Sequence, residues 1–182
     1  MAIELVFETH STTEDNERGS ATGWRPGVLS AAGREQAVQM GRRRANDGID
    51  AIFTSDLARA VETVRIAFPH PTVPVLLDWR LRECDYGDMT GIAPDLLERD
   101  AHIDVPYPSG ESWRQAAERV AWFLRDVGSR WQGSRLLVVG HTATWRGLDH
   151  AINGTPLNTP FEWQEGWEYR VGWRRRTPGR CR

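Results

Sequence analysis

The sequence has 182 residues, of which 40% are hydrophobic and 26% are charged, and its formal net charge is -2. These values are typical of one globular domain with a full hydrophobic core, and they give no reason to expect nucleic acid or an anionic membrane as a partner. All 23 basic residues are arginine because the sequence contains no lysine, which excludes lysine Schiff-base chemistry and a P-loop.

Predicted strands alternate with predicted helices along the chain. The strands cover residues 3–8, 49–54, 73–77, 136–140 and 167–173, the last one at a sheet edge. The helices cover residues 31–46, 56–67, 93–99, 111–131 and 142–152, and Ser30 and Ser55 are the expected N-caps of the first two. Residues 11–28 form a long polar loop, a type of segment that is usually functional or mobile. Residues 174–182 are expected to be a frayed basic tail.

This alternation predicts a single α/β domain over residues 1–182, with three layers, α/β/α, and a mostly parallel central sheet. Two of the strands end in a histidine, His10 and His141. The carboxyl ends of parallel strands lie at one edge of the sheet, where ligands bind in open α/β folds. We therefore expect the two histidines to converge there, although either one alone is more often a structural hydrogen-bonding residue.

The two cysteines, Cys84 and Cys181, are too few for a disulfide framework or a zinc cluster. No apolar run approaches the roughly 20 residues that cross a bilayer, and no pattern of a secretory signal is visible. We therefore expect a cytoplasmic protein that contacts neither a membrane nor nucleic acid.

Six short segments follow one another in an order that is typical of a known family. They are Thr-His-Ser-Thr-Thr at 9–13 with Asn16, Leu-Ser-Ala-Ala-Gly at 29–33, Ser-Asp-Leu-Ala-Arg-Ala-Val-Glu-Thr at 55–63, Leu-Arg-Glu at 81–83, Ser-Gly-Glu-Ser at 109–112 and Val-Val-Gly-His at 138–141. In these segments, which extend over nearly the whole chain, the sequence resembles the histidine phosphatase superfamily. The resemblance implies the phosphoglycerate-mutase-like fold.

The resemblance also implies phosphoryl transfer through a phosphohistidine, with no cofactor and no metal. His10 would be the nucleophile. Arg59 would clamp the phosphoryl oxygens, since a planar guanidinium matches them bidentately. His141 would donate a second hydrogen bond to the transferring group. Glu83 would be the general acid and later the base, and Asn16 would hold a phosphoryl oxygen or orient His10.

Three hydroxyl residues next to the histidines, Thr9, Ser11 and Thr142, are further candidates for binding the phosphate. Thr9 is also the main departure from the family, whose first strand ends in Arg-His-Gly. That arginine is normally one of two guanidinium clamps on the phosphate. A charged hydrogen bond contributes roughly 1.5–3 kcal/mol, so its loss in the transition state would slow transfer about ten- to a hundredfold.

Three explanations of Thr9 stay open. Another arginine reaches the phosphate, for which the candidates are Arg18, Arg25, Arg82 and Arg146. Alternatively, the substrate carries less charge than a phosphate monoester, or the chemistry differs while His10 is kept. The third explanation is a ligand-binding relative without catalytic activity.

Hydrolysis of a small phosphorylated metabolite is the expected reaction. Cofactor-dependent mutases of this family carry Glu-Arg-His-Tyr-Gly where this sequence has Glu-Cys-Asp-Tyr-Gly at 83–87, and they use a longer insertion and a lysine. The expected partner is therefore a small-molecule substrate, a phosphate ester. The identity of this substrate and the oligomeric state stay open, a homodimer being one alternative.

Overall fold

The computed structural model describes residues 2–160 and 166–172, so the expected tail at 174–182 lies outside the described residues. Five strands of the described chain form one sheet: β1 (Ala2–Thr9), β2 (Ala51–Thr54), β3 (Val75–Leu77), β4 (Arg135–Gly140) and β5 (Trp167–Gly172). The strand order is β3-β2-β4-β1-β5. The first four strands are parallel, and β5 pairs antiparallel with β1. This mostly parallel sheet confirms the fold class that the sequence predicts.

Helices cover both faces of the sheet. They are α1 (Glu14–Glu17), α2 (Ala31–Arg44), α3 (Ala58–Ala67), α4 (Trp113–Arg130) and α5 (Thr142–Asn153). Successive side chains of a strand point to opposite faces, and β1 shows this directly. Phe7 packs in one core with Phe123 of α4, whereas Val6 packs in a second core with Met40 of α2. None of the helices within the described ranges is both long and apolar enough to span a bilayer.

The starts of the first two long helices test the expected caps. Ser30 is the N-cap of α2 as predicted, since its hydroxyl accepts the N–H of Gly33 at 3.1 Å. The expectation for Ser55 is wrong, because α3 begins at Ala58 after Leu57. The buried Ser55 hydroxyl instead accepts the N–H of Leu57 at 3.2 Å, which closes a turn ahead of the helix.

The segment at 93–99 is not the single short helix that the sequence predicts. It contains one 3-10 turn, Pro94–Leu97, and a second turn follows at Arg99–His102. Glu98 lies between them with a left-handed backbone, φ 44°. This conformation is uncommon outside glycine and cannot continue a right-handed helix, so the chain changes direction at Glu98.

The polar loop at 11–28 packs against the segment at 83–92. The N–H of Ala21 donates to the carbonyl of Ile92, and the N–H of Gly91 donates back to the carbonyl of Ala21, both at 2.8 Å. The loop also contains the short helix α1, which the sequence analysis did not predict and which begins with a capping box between Thr13 and Asn16. These contacts join the loop that follows β1 to the segment that follows β3.

Candidate active site

The two histidines that end strands lie next to each other. β1 and β4 are neighbours in the sheet, and Thr9 is the register partner of Gly140. The N–H of His10 continues this pairing by donating to the carbonyl of Gly140 at 2.8 Å. The imidazole centroids of His10 and His141 are 4.9 Å apart, so the structure brings the two residues together as the parallel sheet requires.

The hydrogen bonds of His10 determine its tautomer. Nδ1 lies 2.8 Å from the carbonyl oxygen of Ser11, which can only accept, so Nδ1 carries the proton. Nε2 lies 3.2 Å from Nε of Arg59, which can only donate, so Nε2 is unprotonated and accepts this hydrogen bond with its lone pair. Burial and the charge of Arg59 lower the pKa of His10 from 6.5 to about 3. The ring is therefore neutral near pH 7, with Nε2 facing the guanidinium.

Arg59 is the centre of the site. It lies in the first turn of α3 and is only 2% exposed. Its NH1 donates to the carbonyl of Arg25 and its NH2 to the carbonyl of Gly23, both at 2.8 Å, so the polar loop holds the guanidinium in place. NH2 also lies 3.2 Å from Nδ1 of His141. One guanidinium thus contacts an acceptor nitrogen on each of the two histidines.

His141 takes the opposite tautomer from His10. Its Nδ1 accepts from Arg59, so its proton is on Nε2, a buried atom without a hydrogen-bond partner among the described residues. Burial, Arg59 and His10 together lower the pKa of His141 well below its usual value. Nε2–H of His141 is accordingly a neutral donor that is free to bind an oxygen.

Glu83 is fixed through one of its two carboxylate oxygens. Oε1 accepts the N–H of Cys84 at 2.8 Å and the N–H of Ala143 at 3.0 Å. The second bond joins Glu83 to the first turn of α5, directly after His141. No hydrogen bond to Oε2 occurs in the part of the chain that the structure describes. Oε2 is therefore the oxygen that can exchange a proton with a bound molecule.

A cavity of about 120 Å³ borders His10, Arg59 and Glu83, whereas the buried His141 is not among the residues that line it. Five of the residues singled out in the sequence line it: His10, Asn16, Arg59, Glu83 and Thr142. The side-chain oxygen of Asn16 accepts the N–H of Thr13 at 3.0 Å and the hydroxyl of Thr13 at 2.8 Å. Since that oxygen serves the cap of α1, the amide NH2 is the end of Asn16 that can donate to a ligand.

Thr9 and Ser11 do not line this cavity. They line a neighbouring one of about 450 Å³, which His10 separates from the first and which Gln36 and Arg43 also border. The main chain of Ser11 is held in place by α3, because its N–H donates to the hydroxyl of Thr63 at 3.0 Å. The structure thus places Thr9 and Ser11 on the far side of His10.

None of the four arginines proposed to replace the missing clamp lines the small cavity. Arg18 binds Asp15 at 2.6 Å on the surface. Arg82 makes a bidentate pair with Asp56, at 2.7 and 2.6 Å, and stacks on the ring of Trp24.

Arg25 and Arg146 are held by main-chain carbonyls instead. NH2 of Arg25 donates to Thr90 at 3.1 Å. NH1 of Arg146 donates to Leu157 and to Thr159 in the segment after α5. A fifth arginine, Arg99, does line the cavity, although nothing in the sequence distinguished it.

Arg119 is a further residue that the sequence analysis missed. It is 3% exposed, forms an ion pair with Glu111 at 2.5 Å, and donates to the carbonyls of Arg80, Arg82 and Glu83, each at 2.8 Å. It therefore holds the main chain on which Glu83 lies. The sequence feature that could have identified it is its place on the apolar face of the predicted helix at 111–131, directly before the core residue Val120.

Within residues 2–160 and 166–172, no group of three or more His, Cys, Asp or Glu side chains has the proximity needed to hold a metal ion. The side chains that line the cavity instead include a guanidinium and an amide, next to one carboxylate. Such a set of donors suits the oxygens of an anion.

The chain matches a protein-family model, that of the histidine phosphatase superfamily (branch 1), over residues 5–171. A similar protein is the 2,3-bisphosphoglycerate-dependent phosphoglycerate mutase of Methylobacterium sp. (strain 4-46). The two are 34% identical in an alignment 172 residues long, which covers 85% of this chain and 83% of the mutase.

Two solved structures of phosphatases are also similar. The alpha-ribazole phosphatase of Shigella flexneri has a TM-score of 0.75 and 26% identity, covering 86% of this chain and 82% of that one. A mycobacterial glucosyl-3-phosphoglycerate phosphatase, solved in complex with VO3, has a TM-score of 0.71 and 25% identity, covering 85% of this chain and 82% of that one. The similar proteins therefore include both mutases and phosphatases.

Proposed function

This chain belongs to the histidine phosphatase superfamily, and on that premise we propose that it is a phosphatase-type hydrolase that acts on a small phosphorylated metabolite. The reaction proceeds through a phosphohistidine on His10, without a metal. Arg59, His141 and Asn16 bind the phosphoryl oxygens, and Glu83 transfers the proton. Thr142, at the start of α5, completes the anion site.

The state of His10 is the observation that carries this proposal. A histidine is a nucleophile only when the attacking nitrogen is deprotonated, and Nε2 of His10 has no proton because Nδ1 donates to Ser11. The low pKa, about 3, keeps the ring neutral across the physiological range. The lone pair of Nε2 faces the guanidinium that would bind the phosphoryl group, so a phosphoryl group bound between the two would meet that lone pair.

The first step forms a bond between Nε2 and phosphorus and breaks the bond from phosphorus to the ester oxygen. Oε2 of Glu83 gives its proton to that leaving oxygen. In the second step Glu83 takes a proton from water, the water oxygen attacks phosphorus, and the bond to Nε2 breaks. Inorganic phosphate leaves, and His10 and Glu83 return to their starting states.

Charge builds up on the phosphoryl oxygens during both steps. The Arg59 guanidinium and Nε2–H of His141 are fixed donors that require no rearrangement of the chain to meet this charge. A phosphoryl group at His10 takes the place of the Arg59 Nε–H on Nε2, so its binding exchanges this hydrogen bond and leaves the lone pair of Nε2 to face phosphorus.

The test is hydrolysis of p-nitrophenyl phosphate by the purified protein without added metal. We expect His10→Ala to abolish the activity, because the intermediate cannot form. His70→Ala removes an exposed histidine away from the cavity and should keep wild-type activity. Wild-type protein quenched during turnover should carry one phosphoryl group on His10, detected by mass spectrometry and lost in acid, as expected of an N–P bond.

Retention of activity in His10→Ala, or phosphorylation of another residue, would contradict this function. A wild-type protein that hydrolyses no phosphate ester, yet melts at a higher temperature when a phosphorylated metabolite is added, would favour the ligand-binding alternative. Activity on an uncharged metabolite without release of phosphate would favour the alternative of altered chemistry.

The similarity to phosphoglycerate mutases supports a second candidate, intramolecular transfer of the phosphoryl group. The two candidates share His10 and differ in the acceptor, which is water in a phosphatase and a substrate hydroxyl in a mutase. Incubation with 3-phosphoglycerate separates them, since a phosphatase releases inorganic phosphate and a mutase forms the 2-phospho isomer. We expect phosphate release.

A further inference from the structure

Arg99 is the charged residue of the small cavity that has no role in the steps described above. It begins the turn Arg99–His102, directly after the left-handed Glu98. The change of chain direction at Glu98 lets the two turns contribute to one wall, so that Leu97 and Arg99 line the same cavity as His10 and Arg59.

The Arg99 side chain has no hydrogen bond or ion pair with any of the residues at 2–160 and 166–172, and its Nε is buried without a partner. Buried donors are nearly always paired in folded proteins, so an arginine in this condition indicates a site for an acceptor. Arg119 shows the usual arrangement, since its buried guanidinium is bound by Glu111 and three carbonyls.

Carboxylates near Arg99 do not neutralise it. Asp95, Glu98 and Asp100 border a larger, outer cavity of about 590 Å³ together with Arg99, and none of them forms an ion pair with it. Arg99 and Arg146 both line a third cavity of about 140 Å³, which Asp100 also borders. Burial lowers the pKa of Arg146, and the charge of Arg99 lowers it further, so the two cations lie close enough to repel each other.

The size of the inner cavity decides what Arg99 can reach. Its volume of about 120 Å³ corresponds to roughly four water molecules. A tetrahedral phosphoryl group placed at Nε2 of His10 occupies much of this space, and Arg99 belongs to the wall around it. Thr9, where the family carries its first clamping arginine, lines the other cavity.

We propose that Arg99 is the second guanidinium that binds the transferring phosphoryl group, in place of the arginine that Thr9 replaces. This inference rests on the proposed function in assuming that phosphorus is transferred at His10. Arg59 and Arg99 then contact the anion from two separate elements, α3 and the turn Arg99–His102. Arg99 is a catalytic residue in this arrangement because it touches the reacting group.

Three variants of Arg99 test the inference. Arg99→Ala should lower kcat/KM for p-nitrophenyl phosphate about ten- to a hundredfold, the effect of one charged hydrogen bond in the transition state. Arg99→Gln should behave similarly, and Arg99→Lys should recover part of the loss because it keeps the charge without the planar fork. The matched control is Arg125→Ala, which removes an exposed arginine from α4 and should leave kcat/KM unchanged.

The choice of ligand separates the phosphoryl group from other anions. p-Nitrophenyl phosphate, inorganic phosphate and vanadate each present only the one anionic group that binds at His10. The affinities for phosphate and vanadate, measured by calorimetry and by inhibition, should therefore weaken in Arg99→Ala by a similar factor. If Arg99 bound a remote carboxylate or second phosphate of the natural substrate, these affinities would stay at the wild-type value, which would overturn the inference.

The inference and the proposed function fail in different experiments. If His10→Ala abolishes turnover while Arg99→Ala and Arg99→Gln keep wild-type kcat/KM and phosphate affinity, the function stands and the role of Arg99 is refuted. If the wild type shows no turnover, phosphate and vanadate binding still measures Arg99 directly. Should Arg99→Ala fail to fold in a thermal melt, Arg99→Gln and Arg99→Lys, which keep a long polar side chain, provide the same readout.

Discussion

Arg59 sets the protonation of both imidazoles at the candidate site. It can only donate, so Nε2 of His10 and Nδ1 of His141 must both accept from it. In a neutral imidazole the other nitrogen must then carry the proton. Nδ1 of His10 donates this proton to the carbonyl of Ser11, and Nε2 of His141 stays a donor. One buried guanidinium thereby leaves Nε2 of one histidine unprotonated, as the proposed nucleophile requires, and leaves an N–H donor on the other.

Glu83 has a comparable division between its two oxygens, and this leads to a prediction for Glu83→Gln. The glutamine oxygen can replace Oε1 as the acceptor for Cys84 and Ala143, so the fold should be kept. The proton donor is lost. We expect kcat/KM for an alkyl phosphate to fall by about 10²–10⁴ because its leaving oxygen must be protonated.

p-Nitrophenyl phosphate provides the control for Glu83→Gln. Its leaving group is a stable anion that needs little protonation, so the loss should be much smaller than for the alkyl phosphate. Equal losses on the two substrates would mean that Glu83 positions the site and does not act as the acid. Steady-state kinetics on both substrates measures the difference.

At the scale of elements, the site is assembled from two loops that hold each other. Trp24 in the polar loop donates from its indole to the carbonyl of Glu83 at 2.6 Å, and Arg82 stacks on the same indole with its guanidinium 4.6 Å from the ring centroid. The polar loop also supplies the two carbonyls that hold Arg59. The positions of Arg59 and Glu83 are consequently coupled, although they are 24 residues apart in sequence.

A pair of glycine substitutions tests this coupling. Gly23 and Gly19 lie in the same loop with φ of 51° and 65°, so alanine at either position costs about 1–2 kcal/mol of backbone strain. A Cβ at Gly23 would lie 3.1 Å from Thr90 Oγ1 and 3.2 Å from Tyr86 Cδ2, whereas a Cβ at Gly19 meets nothing within 4 Å.

We expect Gly23→Ala to lower both the melting temperature and kcat/KM, because the carbonyl of Gly23 must shift away from Arg59 when the loop makes room. Gly19→Ala should lower the melting temperature alone. Thermal melts and p-nitrophenyl phosphate kinetics on the two variants give the comparison. Wild-type kcat/KM in Gly23→Ala would show that the loop does not position Arg59.

At the scale of the whole molecule, the fold stability depends on keeping two histidines neutral. The folded-state pKa of His10 is about 3, and that of His141 also lies well below 6.5. The unfolded chain binds more protons than the folded one once the pH falls below about 6.5, so stability decreases as the pH falls from there toward 3. At pH 5 His10 alone destabilises the fold by about 2 kcal/mol relative to pH 7.5, and His141 acts in the same direction.

This pH dependence can be measured through His10→Asn. The variant has one fewer histidine that must stay neutral, so the difference between its free energies of unfolding at pH 7.5 and pH 5 should be about 2 kcal/mol smaller than in the wild type. Urea unfolding at the two pH values gives both differences, and the absolute stability of the variant cancels. An unchanged difference would mean that His10 is protonated in the folded state at pH 5.

The sequence by itself determined the sheet and the place of its histidines. Apolar runs of strand length that end at His10 and His141 are local patterns, and parallel strands leave no choice about which edge their carboxyl ends share. Ser30 as an N-cap is equally local. The six segments taken together indicated the family, and the structure places Arg59, which belongs to one of them, between the histidines.

Only the tertiary structure decided which further arginine lines the cavity. Arg82 and Arg18 are occupied by Asp56 and Asp15, and Arg99 reaches the cavity because Glu98 turns the chain between two 3-10 turns. An arginine side chain is long and takes whichever partner folding brings near it. Its position therefore depends on contacts between residues that are distant in sequence, which the pattern of local residues does not contain.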